Sequence, residues 1–378
     1  MPWVDCDLGD IVTLKRGYDL PKSVRNDGSI PVVSSAGITG FHDASKAKSP
    51  GVVTGRYGTL GEVYFLEEPF WPLNTALYAV DFHGNKPRFV AYLLKSKLGN
   101  YRSEKAAVPG VDRNVLHKLS SQCPDLQTQE RIVAILSPYD NLIAVNIRRI
   151  ALLEKAARLL YREWFMHLRF PGHENRQIID GVPEGWTSMS LSEAVWVRPR
   201  NDKPRSDSIV KVPMSALSTI SMQCDTSDFS LSNKYSGATF KNGDTLLARI
   251  TPCLENGKTA YVNFLQEGET ACGSTEFIVM RERIISRFQI YLLSRCDEFR
   301  EVAIKSMTGS SGRQRVDEEV IGQFRVLVAP ECLAKEFDDL VRDFFASIKI
   351  LAEQNQTLAR ARDLLLPRLM DGRIELAT

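Results

Sequence analysis

Apolar side chains along this chain follow two rhythms. In one stretch they fall at Ile132, Leu136, Tyr139, Ile143, Asn146, Ile150, Leu153, Ala157, Leu160 and Trp164, the spacing alternating between four and three. A later stretch repeats the rhythm at Phe337, Val341, Phe344, Ile348, Leu351, Asn355, Leu358, Arg362, Leu365 and Leu369. A heptad seam held this long predicts a coiled coil rather than a surface helix. Each seam covers about 33 residues, or roughly 50 Å at about 1.5 Å per residue. Elsewhere the apolar runs are short, rich in Val, Ile, Tyr and Phe, and broken by Gly, Pro, Asn and Ser. That pattern predicts β-rich α+β domains. The chain therefore divides into a β-rich segment at 1–127, a helix within 128–170, a second β-rich segment at 171–329, and a second helix within 330–378.

The two halves repeat one another, in order. WVDCDLGDIVTLKRG from Trp3 matches WTSMSLSEAVWV from Trp186. GVVTGRYGTLGEVYF (51–65) resembles GDTLLARITPCLENGKTAYV (243–262), LNTALYAV (73–80) resembles GSTEFIVM (273–280), and FVAYLLKS (89–96) resembles FQIYLLSR (288–295). Val111–Phe170 then matches Val316–Glu375 at a constant spacing of 205 residues. Five matches in order imply an internal duplication with loop insertions.

Placed antiparallel with full overlap, the two seams set Ile132 opposite Leu369, Tyr139 opposite Arg362, and Asn146 opposite Asn355. A buried Asn is costly unless partnered and so specifies register. Asn146 and Asn355 are accordingly read as a pair that fixes it. Two prolines predict irregular ends. Ser137–Pro138 can serve as N-cap and first position, leaving 128–136 as a separate short helix, and Pro367 should kink or end the second helix. Leu159, Phe165, Met166, Phe345 and Leu366 lie off the seam, and serve either further partners or packing against their own domains.

Composition narrows the class. With 43% hydrophobic and 25% charged residues, the chain is an ordinary globular one, which excludes long disorder, collagen-like repeats and a disulfide scaffold. No apolar run approaches the roughly 18 residues of a membrane span. The acidic start MPWVDCDLGD lacks the basic-then-apolar order of a secretory leader, so a cytoplasmic location is expected. The 48 Lys and Arg against 46 Asp and Glu give a net charge of +2. That balance argues against a basic DNA-coating protein while leaving local patches open. Seven cysteines and five histidines form neither Cys-x-x-Cys nor His-Glu-x-x-His. No zinc site or disulfide framework is expected, and the thiols should be buried and free.

Catalytic motifs fail where they can be checked. ENGKT (255–259) resembles the end of a phosphate-binding loop, but the required glycine five residues before Gly257 is Pro252. Asn-Pro-Pro-Tyr/Phe, Glu-x-Lys and Gly-x-Ser-x-Gly are all absent from the sequence.

The stretches LGDIVTLKRGYDLPK, IPVVSSAGITGFH, VVTGRYGTLGEVYF and WPLNTALYAV resemble a target-recognition domain of type I restriction–modification specificity (S) subunits. LQTQERIVAILSPYDNLIAVNIRRIALLEKAARLLYREWF and ECLAKEFDDLVRDFF…LARARDLLLPRLMDGRIEL resemble that family's two spacer helices. The second recognition domain is matched mainly by position and by GSSGRQR before its helix. Pro138 departs from the family pattern, as does SSQCPDLQTQERI, where a proline-rich approach is reduced to Pro124. The resemblance implies two recognition domains (1–127 and 171–329), each followed by a spacer helix (128–170 and 330–378), the helices forming an antiparallel coiled coil. It further implies no catalysis and no cofactor of the chain's own. Each domain would read one half of a split double-stranded DNA sequence, with the coiled coil fixing the gap. Two DNA methyltransferase subunits would dock and use S-adenosylmethionine, and a restriction translocase is an optional further subunit.

DNA readers place Lys and Arg on phosphates, and Arg, Lys, Asn, Gln, Ser or Thr on base edges, from loops held by a rigid scaffold. In the first domain the candidates are Lys15, Arg16 and Tyr18 around Gly17, Ser34 and Ser35 in a VVSSAG turn, and Lys46 with Lys48. Arg56 and Tyr57 lie between glycines, Asn74 and Thr75 in the aligned later loop, and Arg113 and Asn114 after Pro109–Gly110. Packing for the tyrosines, solvation for the lysines and turn-capping for Asn74 are the competing roles. In the second domain VRPRNDKPRSD supplies Arg198, Arg200, Lys203 and Arg205. Arg249 recurs at the place of Arg56, with Asn256 and Lys258 downstream. Ser274 and Thr275 match Asn74 and Thr75, and GSSGRQR supplies Arg313, Gln314 and Arg315. A stand-alone bipartite DNA-binding regulator and a coiled-coil adaptor between proteins remain the alternative functions.

Overall fold

The computed structural model describes residues 3–56, 61–99, 111–201, 208–310 and 312–374. The chain divides into two compact units, Met1–Ile143 with Gln356–Thr378, and Ala144–Asn355.

In the first unit β1 (Val4–Asp7) runs into a short helix α1 (Leu8–Ile11). Asp7 and Asp10 form a capping box there, each side chain bonding the other's backbone amide. The unit continues with β2 (Thr13–Arg16), β3 (Ile30–Ser34), β4 (Gly37–His42), β5 (Gly51–Gly55), β6 (Val63–Leu66), β7 (Trp71–Pro72) and β8 (Ala76–Asp81). Then come α2 (Pro87–Leu98), α3 (Arg113–His117), β9 (Ser120–Cys123) and the long helix α4 (Leu126–Tyr161), which begins in this unit. One sheet has the order β2-β8-β5-β6 and another β4-β3-β7, while β1 pairs with β9. Apolar faces of the first sheet and of α2 close a core around Leu14, Val52, Leu77, Phe89, Leu93 and Leu94.

The second unit begins with the rest of α4 and a β10 (Ile178–Ile179)–β11 (Val182–Pro183) hairpin. It then repeats the plan: β12 (Thr187–Ser190), α5 (Leu191–Ala194), β13 (Val195–Val197), β14 (Ile209–Val212), β15 (Ser230–Ser232), β16 (Ala238–Phe240), β17 (Thr245–Ala248), β18 (Thr259–Tyr261), β19 (Ala271–Gly273) and β20 (Phe277–Glu282). Helices α6 (Arg287–Ser294), α7 (Asp297–Lys305) and α8 (Glu318–Gly322), strand β21 (Arg325–Val328) and the long helix α9 (Glu331–Met370) complete the series. Ser190 and Glu193 form the capping box of α5. The sheet β13-β20-β17-β18 repeats β2-β8-β5-β6, and β15-β14-β19-β16 repeats β4-β3-β7 with one edge strand added. Even the parallel pairs correspond, β3 with β7 and β14 with β19. The duplication read from sequence is thus repeated in strand order and helix caps.

All twenty seam positions are buried or half-buried. In the first unit Asp140 of α4 meets Arg362 of α9, Nη1 to Oδ1 at 2.5 Å, while Ile132, Leu136, Leu366 and Leu369 share one core. In the second unit Asn146 Nδ2 donates to Asn355 Oδ1 and Gln354 Oε1, both at 3.0 Å, and further along Trp164 packs on Phe337 with centroids 5.5 Å apart. Partner numbers rise on α4 as they fall on α9, so the segments run antiparallel. Arg362, expected opposite Tyr139, forms its ion pair with the adjacent Asp140.

Pro138 does not open a new helix, and Pro367 does not end one. Helix α4 continues through Pro138 and α9 through Pro367. An internal proline costs about 3 kcal/mol. Burial of Ile132 and Leu136 before Pro138, and of Leu366, Leu369 and Met370 around Pro367, outweighs it at roughly 1.5–3 kcal/mol per side chain. Off the seam, Phe165, Phe345 and Leu366 are buried within their own units, whereas Leu159 is 49% exposed. The thiols are free, but only Cys272 and Cys296 are buried; Cys6, Cys123, Cys224 and Cys253 are half-buried and Cys332 is exposed. Among the described residues no helix is long and apolar enough to cross a membrane, and no His, Cys, Asp and Glu group is arranged to hold a metal.

Candidate nucleic-acid interface

Strand pairing fixes which loop positions of the two units are equivalent. Gly55 pairs with Ala76 as Ala248 pairs with Phe277. The next residue donates its amide across the ladder in both units, Arg56 to the Thr75 carbonyl and Arg249 to the Glu276 carbonyl, each at 3.0 Å. The Arg56 carbonyl accepts from Val111 and that of Arg249 from Val316. Arg56 and Arg249 are therefore equivalent, as the sequence match has it. The match of Asn74–Thr75 to Ser274–Thr275 is off by one residue: Thr75 stands where Glu276 does. Helix α3 starts at Arg113 behind the N-cap Asp112, and α8 starts at Glu318 behind the N-cap Asp317. Lys15 pairs with Tyr78, and Arg198 donates its amide to Val279, the counterpart of Tyr78.

In the first unit the structure gathers Lys15, Tyr18, Lys46 and Asn74. Gly17 makes the turn possible, because a Cβ there would collide with the carbonyl oxygens of Leu73 and Pro72. Tyr18 lies edge-on to Trp71, and its hydroxyl bonds that of Tyr78 at 3.0 Å. The Lys15 ammonium sits 5.6 Å from the Tyr18 ring centre and that of Lys46 5.2 Å from Trp71. Both lysines are exposed, so the rings hold two ammoniums at the surface by cation–π attraction. The hydrogen bond from Tyr78, aided by the lysines, lowers the Tyr18 pKa below its usual value. Asn74 bonds Asp19 through its side-chain amide, and its backbone amide bonds the Tyr18 carbonyl. Arg16, Lys48, Arg113 and Asn114 are exposed, Ser35 is half-buried, and Ser34 is buried and bonded to the Gly37 carbonyl. Tyr57 lies outside the described residues.

The second unit arranges its candidates differently. Arg198, Arg249 and Arg315 converge on two carboxylates that sequence reading overlooked, Glu276 and Glu318. Arg315 grips Glu276 through Nε and Nη2, at 2.9 and 2.7 Å. Arg198 Nη2 lies 2.6 Å from Glu318 Oε1, and Arg249 Nη1 bonds the same oxygen. Arg249 Nε is 3.6 Å from Glu276, so Arg249 bridges both acids. The bond from Arg315 holds the Glu276 carboxyl below its usual pKa, with the Arg249 and Arg198 charges adding to the effect. Arg198 also lines an open cleft of about 550 Å³ with Arg200, Asn201, Tyr235, Thr239 and Thr275. Ser274 accepts the Glu276 amide and Gln314 bonds Thr251, so both shape the loops. Lys258 is occupied by the carbonyl of Met214 at 2.8 Å, and Asn256 and Arg313 are exposed. Lys203 and Arg205 lie outside the described residues.

Each unit also grips the long helices through a tyrosine at an equivalent place. Tyr92 of α2 donates to Asp140 at 2.5 Å. Tyr291 of α6 donates to the buried Glu154 at 2.5 Å, and Arg295 bonds Tyr291 and four backbone carbonyls. Neither contact was foreseen.

This geometry defines a class: a duplicated β-rich scaffold on paired antiparallel helices, with charged loops at equivalent edges. Residues 1–155 match the family described as type I restriction modification DNA specificity domain. The chain is 32% identical over 142 residues to the EcoAI specificity subunit of Escherichia coli, a match spanning 36% of this chain and 24% of that protein. It is 23% identical over 310 residues to the MjaIX specificity subunit of Methanocaldococcus jannaschii, spanning 76% and 68%. The fold resembles the crystal structure of a type I S subunit from M. genitalium, with a TM-score of 0.57 and 13% identity over 100% of this chain and 97% of that one. The resemblance seen in the sequence therefore holds, to type I specificity subunits.

Proposed function

We propose that the chain is the non-catalytic DNA-reading specificity subunit of a type I restriction–modification complex, each β-rich unit reading one part of a split duplex sequence. The observation that carries this reading is the duplication itself. Two units share sheets, caps and ladder bonds yet present different charges at equivalent loop positions. A repeated scaffold with a changed edge suits two unlike half-sites. The relatives support it, since each bears the name of a specificity subunit.

Under this reading the recognition domains are 1–127 and 171–329, and the spacer helices lie in 128–170 and 330–378. The residues reaching DNA come from Lys15, Arg16, Tyr18, Ser35, Lys46, Arg56, Tyr57, Asn74, Thr75 and Arg113 in the first domain. In the second they come from Arg198, Lys203, Arg205, Arg249, Asn256, Lys258, Ser274, Arg313, Gln314 and Arg315. Asn146 and Asn355 set the helix register. Methyl transfer, with S-adenosylmethionine, belongs to two methyltransferase partner subunits in the cytoplasm, and a restriction translocase is an optional further partner. The test is methyl transfer by the full chain assembled with methyltransferase subunits on a randomised duplex library. Adenine methylation confined to one split motif is expected, and methylation without a split motif contradicts the reading. Tight, specific binding by the chain alone would instead mark a stand-alone regulator. Loss of specific DNA binding in every assembly would mark an adaptor.

A further inference from the structure

The mixed-charge cluster of the second unit and the lysine pair of the first call for different partners on DNA. Three arginines and two glutamates nearly cancel, and carboxylates repel phosphate. Such a cluster makes a poor phosphate grip. Arginine has five N–H donors in a fixed fork. Glu276 occupies the Nε/Nη2 edge of Arg315, and Nη1 makes no hydrogen bond among the described residues. The guanidinium plane is thereby fixed, and its outer edge, one N–H from each Nη, is directed away from the acid. The Arg315 side chain is 45% exposed, whereas Glu276 and Arg249 behind it are 22% and 21% exposed. That outer edge matches the two acceptors of guanine, O6 and N7, the commonest partner of arginine in the major groove.

We propose that Arg315, held by Glu276 and backed by Arg249 and Glu318, reads a guanine in the half-site of the second unit. This assignment rests on the DNA-recognition reading above. Glu276 and Glu318 are positioning residues, and the lysine pair of the first unit is a phosphate grip that is indifferent to sequence.

The test uses the full chain assembled with methyltransferase subunits and compares methylated motifs for Arg315→Ala, Arg315→Lys and Glu276→Gln. Arg315→Ala should lower discrimination at one G·C position of one half-site by about 5- to 150-fold, leaving the other half-site unchanged. Arg315→Lys keeps the charge but loses the fork, so discrimination should stay lost while overall binding recovers. Glu276→Gln should relax the same position in part, with the thermal unfolding of the assembly showing that the fold persists. An unchanged motif in Arg315→Ala, or discrimination rescued by Arg315→Lys, overturns the assignment. A wild-type assembly that methylates no split motif instead overturns the DNA-recognition reading.

Discussion

In the first unit Lys15, Arg56, Thr75 and Arg113 stand where the second has Arg198, Arg249, Glu276 and Glu318. The backbone bonds around these positions are nearly the same, down to paired 3.0 Å ladder bonds from Arg56 and Arg249. The difference teaches that the sheets decide where a side chain emerges, and the loop residue alone decides what it meets. One edge carries basic side chains where the other interleaves arginine with carboxylates that aim it.

The helix anchors differ in the same way, and they offer the largest effect. Arg295→Ala would remove a 5% exposed guanidinium bonded to the Tyr291 hydroxyl and to four backbone carbonyls, two of them in buried bonds. Each buried acceptor left unsatisfied costs about 1–3 kcal/mol, and this substitution strips several at once. In the first unit Tyr92→Phe loses one hydrogen bond to a charged group, worth about 1.5–3 kcal/mol. Denaturant unfolding of the full chain should rank them in that order, and equal losses would erase the distinction.

Next in size is the Asn layer. Asn146→Leu leaves the amides of Asn355 and Gln354 without their donor, at a cost of about 1–3 kcal/mol. An unchanged unfolding midpoint would show that the layer contributes no stability.

Acid sensitivity should divide the units as well. Glu276 has its folded pKa lowered from 4.5, so the stability it contributes is present above that value and is lost as pH falls through the folded one. Glu276→Gln should flatten that part of the decline below pH 4.5, whereas Thr75→Val in the first unit should not. Unfolding midpoints measured against pH give the answer.

The smallest effect concerns salt. Lys15→Ala and Lys46→Ala should each flatten the slope of log affinity against log salt by ~0.9, without changing the preferred sequence. A changed motif in either would contradict the phosphate role.

The long-range plan was legible because periodicity survives in sequence. Twenty seam positions and the Asn146–Asn355 layer follow from a 3.5-residue repeat that needs no knowledge of loops. Pro138 was misread as a helix start, and Pro367 does not end its helix, because a proline rule counts the missing amide but not the packing on either side. The grips of Tyr92 on Asp140 and Tyr291 on Glu154 join residues far apart in sequence with no shared pattern. Glu276 was hidden by a one-residue slip in the repeat alignment, which only the strand ladder corrects. Glu318 was within reach, since the constant spacing of the repeat sets it opposite Arg113.

The central claim, that each unit reads its own part of a split sequence, is tested most directly by single-molecule methylome sequencing. The host would express the methyltransferase with the wild-type chain, with Arg113→Ala or with Arg315→Ala. A split adenine-methylation motif is predicted, relaxed in one half by Arg113→Ala and in the other half by Arg315→Ala. A continuous motif, or both substitutions relaxing the same half, would contradict it.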